Sequence, residues 1–178
     1  MFSARQFAIM AHGSQKYGTE PYIYHLGEVT TIVTGWCLDH DPLISADLLG
    51  MLSDSAWLHD ILEDTDCSFE FLYREYGKEV ATIVWLVTDP TGRNRVERKQ
   101  TLYEKIKFAW SDFGVTLTHY ACLIKVADRL SNLRNCKEVK NEDLMEMYKK
   151  EHQEFKEVFY RIEYDSIWKE IETILKEV

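Results

Sequence analysis

Four polar groups for which an apolar helix has no packing use stand within six residues of one another. They are His59, Asp60, Glu63 and Asp64, in the run Ala56-Trp57-Leu58-His59-Asp60-Ile61-Leu62-Glu63-Asp64-Thr65. Ionised carboxylates among such neighbours need a partner, because an unpaired buried charge is costly. A divalent metal is one such partner. Successive residues on a helix project about 100° apart, so His59 and Asp60 can both reach an ion lying over the helix edge between them. Other helices must then supply the remaining ligands.

Two further residues have the right chemistry. His25 follows Pro21-Tyr22-Ile23-Tyr24, and Asp128 lies in the mainly apolar segment Cys122-Leu123-Ile124-Lys125-Val126-Ala127-Asp128-Arg129-Leu130. Singly, each has an ordinary explanation: a satisfied core histidine, and an aspartate paired with the arginine beside it. Jointly, two His and two Asp make a mixed nitrogen and oxygen donor set that suits Mn, Fe or Zn. A second His-Asp pair, His40-Asp41, precedes Pro42 and reads as a solvated turn. His40, His119 and His152 are expected to lie off the metal. Glu63 and Asp64 follow His59-Asp60 by one helical turn, where a carboxylate can accept or position a water proton.

The rest of the chain bounds the setting. Its 178 residues are 46% hydrophobic and 29% charged, an ordinary globular profile, and residues 1–178 are read as a single domain. No apolar run reaches the ~18 residues of a membrane span. The opening Met1-Phe2-Ser3-Ala4-Arg5 lacks signal-peptide features, so a cytosolic (cytoplasmic) location is expected, with no membrane partner. Cys37, Cys67, Cys122 and Cys136 form no C-x-x-C pair and read as free thiols. The net charge of −9 argues against nucleic acid as a partner, but a local cationic patch still permits a small anionic ligand.

Helical spacing dominates. Ser3 is an N-cap candidate for a helix over 3–16, broken by Gly18-Thr19-Glu20-Pro21. Further helices are expected at 23–37, over 43–62 as either one helix or two that part near Gly50, and from Ser68 to Gly77. Val80, Ile83, Val84 and Val87 fall at i, i+3, i+4 and i+7, so this β-branched run is read as helix. A polar stretch over 93–107 leads to Phe108-Ala109-Trp110. Helices from Thr116 or Thr118 to Arg134, at 141–161 and at 164–176 complete an all-α chain with no convincing strand.

Three segments resemble the HD phosphohydrolase superfamily, and within it the hydrolase domain of RelA/SpoT proteins and the small stand-alone alarmone hydrolases. They are Ala11-His12-Gly13-Ser14-Gln15-Lys16-Tyr17-Gly18-Thr19-Glu20-Pro21-Tyr22-Ile23-Tyr24-His25, the His59-Asp60 run continued through Tyr76-Gly77-Lys78-Glu79-Val80-Ala81, and Ile124-Lys125-Val126-Ala127-Asp128-Arg129-Leu130-Ser131-Asn132-Leu133-Arg134. The resemblance implies a compact multi-helix HD fold and removal of the 3′-pyrophosphate of ppGpp and pppGpp, usually with Mn²⁺. It implies His25, His59, Asp60 and Asp128 as metal ligands, Glu63 and Asp64 as the catalytic acidic pair, Asn132 as a nucleotide contact and Tyr148 as an aromatic near the base. Many members carry an arginine after the Gln of the first motif, in a loop one residue longer. Here Gln15 runs into Lys16-Tyr17-Gly18, so Lys16 or Tyr17 is expected at the substrate, with looser discrimination between guanine and adenine. No synthetase half matches. The readings kept beside this one are a phosphatase or pyrophosphatase of the same superfamily acting on another nucleotide, and a silent nucleotide sensor; the intact Glu63-Asp64 pair weighs against the sensor.

Carboxylates Asp60, Glu63, Asp64, Asp128 and Glu20 in one pocket would repel a polyphosphate. Two unit charges about 4 Å apart interact by ~4 kcal/mol at an effective dielectric of about 20. Compensation is expected from the metal and from Lys16, Lys125, Arg129, Arg134 and the run Arg93, Arg95, Arg98, Lys99, arginine being suited to bidentate phosphate contacts.

Overall fold

A computed structural model describes residues 2–177 and gives an all-α architecture. Helix α1 spans Ala4–His12, α2 Ile23–His40, α3 Ala46–Trp57, α4 Ile61–Asp64 and α5 Phe69–Tyr76. Then follow α6 Lys78–Val87, α7 Arg95–Asp112, α8 Gly114–Glu138, α9 Glu142–Phe159 and, after a 3-10 turn at Ile162–Tyr164, α10 Asp165–Glu177. None of these helices is long and apolar enough to cross a membrane. All four cysteines are free, and three of them are buried.

Local chemistry sets several boundaries. Ser3 caps α1 through a full capping box with Gln6, and Ser68 caps α5 by accepting from the Phe71 N–H; each cap satisfies amide donors that the first turn leaves unpaired. Helix α1 stops at His12 instead of residue 16, because Gly13 turns to φ +53°. The chain then makes a short antiparallel ribbon, Lys16–Tyr17 (β1) on Glu20–Pro21 (β2), with Gly18 at φ +62°. Two residues per strand are too few to leave an alternation in the sequence. The polar stretch over 93–107 and the aromatic segment after it form one helix, α7, capped by Asn94. Its Leu102, Tyr103, Ile106 and Ala109 face the core.

The segment over 43–62 does not part near Gly50; α3 runs through that glycine and ends at Trp57. The chain breaks instead at 58–60, so His59-Asp60 sits between α3 and α4 and not on a continuous helix. The cause is a side chain. His59 Nδ1 lies 2.8 Å from the Ala56 carbonyl oxygen and competes for an acceptor near the helix end. Leu58 and Ile61, both fully buried, anchor the chain on either side of the break.

Helix α8 is the centre of the fold. Residues 121–127 are buried on every side, as expected of a helix enclosed by others, and α2, α6, α7, α9 and α10 pack around it. A smaller core under α1 gathers Ala4, Ala8, Leu26, Leu58, Ile61, Leu72, Val80, Ala81 and Val84. We expect Leu58→Ala to destabilise the protein by about 2–5 kcal/mol, as large-to-small core changes do. A Cβ on Gly50 meets nothing within 4 Å, so Gly50→Ala is expected to stabilise by up to about 1 kcal/mol through helix propensity. Urea denaturation midpoints read both.

Candidate metal centre and catalytic cleft

Three elements bring the four expected ligands together. His25 lies in the first turn of α2, His59 and Asp60 in the α3–α4 break, and Asp128 on α8. His59 Nε2 is 2.9 Å from Asp60 Oδ2 and 4.0 Å from Asp128 Oδ1. His25 Nε2 is 3.4 Å from each of those oxygens. Ligands at the usual ~2.1 Å from one ion stand about 3.0 Å apart when adjacent in an octahedron. His25, His59 and Asp60 form a compact cluster of possible donors, and Asp128 closes on it from α8.

The imidazoles are oriented for ligation. His59 Nδ1 faces a carbonyl, which only accepts, so Nδ1 carries the hydrogen and Nε2 is a bare lone pair. That buried Nε2 makes no hydrogen bond, although a carboxylate oxygen lies 2.9 Å away. Two lone pairs at that distance need a cation between them. With no ion bound a proton takes that place on His25: burial opposes its charge, yet its hydrogen bonds to Asp128 and Asp60 prevail and raise its pKa to about 9. Asp60 is held well below the carboxylate range, against its own burial, by the two imidazoles beside it. The donor set therefore fits a divalent cation.

Around this centre lies a cleft of about 590 Å³ including its open mouth. Helix α8 supplies Lys125, Asp128, Arg129 and Asn132, whose i, i+3, i+4, i+7 spacing makes one stripe. Helix α7 adds Arg95 and Lys99, and α9 adds Tyr148 and Phe155. Arg129 lies over the rings of Tyr148 and Phe155 at 4.5 and 4.1 Å, while Arg95 and Arg129 both pair with Glu151. Asn132 donates to the Asp128 carboxylate and carbonyl.

Glu63 and Asp64 both line the cleft. Glu63 Oε2 accepts from the Asp89 N–H at 3.2 Å, and burial raises its pKa. Asp64 Oδ2 accepts from Gln15 Nε2 at 2.8 Å. Lys125 lies between Asp89 Oδ1 and Asp128 Oδ2, at 3.6 and 3.4 Å. Lys99 donates to Asp89 Oδ2 at 2.7 Å; burial and then the neighbouring Lys125 lower its pKa to about 8.

Several expected contacts lie elsewhere. Lys16 is exposed on β1 and does not line the cleft. The Tyr17 hydroxyl donates to Asn132 Oδ1 at 3.2 Å and its ring stands 4.6 Å from that of His25, so it serves the protein's own polar groups. Arg134 pairs with Glu28 and Glu170. Of the basic run, Arg95 and Lys99 reach the cleft, while Arg93 pairs with Glu97 at the surface and Arg98 lies against Gly92. Glu20 is exposed on β2. His40 bonds to the Trp36 carbonyl, His119 packs on Tyr164 and His152 lies beside Trp168, all away from the centre.

The chain is matched over residues 4–161 by the model described as HD domain. It belongs to the HD domain family. Among its relatives is the guanosine-3′,5′-bis(diphosphate) 3′-pyrophosphohydrolase MESH1 of Drosophila melanogaster, 32% identical over 134 residues, which are 73% of this chain and 65% of that protein. The MESH1 of Xenopus tropicalis is 31% identical, over 77% of this chain and 69% of that one. A guanosine-3′,5′-bis(diphosphate) 3′-pyrophosphohydrolase of Aquifex aeolicus is 33% identical over 74% of this chain but only 17% of its own length. A solved structure described as a metazoan ortholog of SpoT that hydrolyzes ppGpp superposes with a TM-score of 0.67 at 25% identity, over 98% of this chain and 92% of that one. The HD fold thus accounts for the whole arrangement of helices around α8.

This HD chain uses residues the motifs did not announce. The Tyr22 hydroxyl donates to Asp60 Oδ2 at 2.6 Å, although Tyr22 reads in sequence as one aromatic among several. Asp89 sits in the turn Asp89-Pro90-Thr91-Gly92, where an aspartate carries no signal beyond turn chemistry. We expect His59→Ala to abolish stoichiometric binding of one divalent ion, measured by elemental analysis after dialysis. Tyr22→Phe should keep the stoichiometry and weaken the affinity by roughly tenfold, since it removes a bond to a ligand carboxylate.

Proposed function

We propose that this HD-domain protein is a metal-dependent pyrophosphohydrolase of guanosine polyphosphate alarmones. His25, His59, Asp60 and Asp128 hold a divalent ion; the donor set suits Mn, Fe or Zn, and the resemblance to the alarmone hydrolases selects Mn²⁺ among them. The observation that carries the reading is the bare, buried Nε2 of His59 beside the Asp60 carboxylate, in a cleft whose walls carry Lys99, Lys125, Arg95 and Arg129. The names of its relatives supply the substrate class.

In the reaction, water adds to the phosphorus on the 3′ oxygen of ppGpp. That P–O bond breaks, pyrophosphate leaves, and the 3′ oxygen takes a proton to give GDP. The metal, when bound, supplies Lewis-acid polarisation of the phosphoryl oxygen and of the attacking water. Glu63 is the proton acceptor, because burial raises its pKa towards the working range. Asp64, pinned by Gln15, orients the water. Lys125 and Lys99 exchange part of their contact with Asp89 for the departing pyrophosphate. Asn132, tied to Asp128, faces the nucleotide, and Tyr148 with Arg129 offers a flat surface for the base.

Glu63→Gln and Asp64→Asn should each lower turnover by about 10²-fold or more while the ion stays bound, as loss of a general base does. Steady-state kinetics with metal analysis of each variant reads this; loss of metal would make the pair supports of the centre instead. Product chromatography should find GDP and intact pyrophosphate from ppGpp. Release of orthophosphate would move the protein to another nucleotide-phosphatase activity. Lys16 stands outside the cleft lining and the Tyr17 hydroxyl is bonded to Asn132, and one missing polar contact removes about 1–3 kcal/mol of discrimination. Specificity constants for ppGpp and ppApp are therefore expected to lie closer together than in an arginine-bearing relative. A strong guanine preference would assign base reading to another wall of the cleft.

A further inference from the structure

The hydrogen on His25 Nδ1 is placed by a chain of side chains that leads away from the cleft. Ser131 Oγ lies 3.0 Å from His25 Nδ1 and 2.8 Å from Glu28 Oε2. Glu28 Oε1 accepts from Arg134 Nη1 at 3.0 Å, and Arg134 Nε and Nη2 grip the Glu170 carboxylate at 2.7 and 2.9 Å. An ionised carboxylate only accepts. The Ser131 hydroxyl must therefore donate its single proton to Glu28 and turn a lone pair to His25. Nδ1 then carries the hydrogen, and Nε2 is left bare towards Asp60 and Asp128.

His59 reaches the same state through a backbone carbonyl, which no side-chain substitution alters. His25 depends on side chains from α2 and α8, braced by α10. We propose that Glu28 and Ser131 are positioning residues that set the His25 tautomer, and with it the affinity of the centre for a divalent cation. Arg134 keeps the Glu28 carboxylate in the orientation that gives the chain its direction. The inference rests on the metal-centre half of the proposed function and not on its substrate.

Glu28→Gln is the discriminating change, because it keeps shape and alters polarity. Arg134 still donates, so the new amide turns its oxygen to Arg134 and its NH₂ group to Ser131. Ser131 then accepts from that side and is free to donate to His25 Nδ1, which favours the tautomer unable to ligate through Nε2. Ser131→Ala removes the acceptor outright. Glu28 is 32% exposed, so its variant is the less disruptive of the two.

The measurements are the Mn²⁺ dissociation constant, by competition with a fluorescent chelator, and the Nδ1–H resonance of His25 in the Zn²⁺-loaded protein, with that of His59 as reference. Both single variants should weaken Mn²⁺ binding by about 10- to 100-fold, the usual effect of losing a partner of a metal-bound histidine. Both should shift or erase the His25 signal and leave that of His59. In Glu28→Gln/Arg134→Met the amide is free to turn its oxygen to Ser131, so affinity should recover by at least about threefold over Glu28→Gln alone. A packing role alone makes the double variant weaker than the single. Mn²⁺ affinity within about twofold of wild type in both single variants, or a double variant weaker than Glu28→Gln, would overturn the proposal. No nucleotide enters these measurements. Tight Mn²⁺ binding without pyrophosphate release would instead sink the substrate reading and leave this one standing.

Discussion

A proton-free imidazole nitrogen aimed at a carboxylate, inside an apolar bundle, is the constraint on which the cleft depends. The bond from His59 Nδ1 to the Ala56 carbonyl fixes which nitrogen is bare and also breaks the helix at the position where Asp60 can turn to the same point. The break is affordable in packing terms because Leu58 and Ile61, on either side, are fully buried. One hydrogen bond thus joins three levels: the tautomer of a side chain, the end of α3 and the position of a carboxylate.

The centre is completed by the most buried helix of the fold. Helix α8 carries Lys125, Arg129 and Ser131 at 5% exposure or less, which an apolar helix tolerates only if each is paired. Lys125 stands between Asp89 and Asp128, Arg129 meets Glu151, and Ser131 joins His25 to Glu28. The helix that organises the core therefore also aligns the polar groups of the cleft, and its rigidity passes directly to the ligands.

The candidate ligands were legible in the sequence because polar residues stood where packing gave them no use. His25, His59-Asp60 and Asp128 all lie in apolar surroundings, and all four converge. The long helices were legible from spacing, including 80–87 against its β-branched composition. What escaped was decided by tertiary contact. Gly50 looked like a break and is simply an exposed helical residue, whereas the real break at 58–60 has no glycine or proline to mark it. Arg134 looked like a phosphate ligand but lies on another face of α8, where Glu28 and Glu170 reach it. Arg95 and Lys99 separate from Arg93 and Arg98 only once α7 is known to be one helix with a single face on the cleft. Asp89 and Tyr22 act through distances of 2.6–3.6 Å to residues far away in the chain, which no local pattern encodes.

Charge decides which ligands the cleft favours. Among the residues lining the cleft, four cations (Arg95, Lys99, Lys125 and Arg129) face five carboxylates (Asp60, Glu63, Asp64, Asp89 and Asp128). Without an ion these groups leave the cleft net negative by one, or near neutral once His25 holds its proton. A divalent cation reverses the local sign, and it does so at the floor of the cleft, where desolvation makes its field strongest. On the proposed function, metal occupancy would then govern the attraction of an anionic substrate as well as its chemistry.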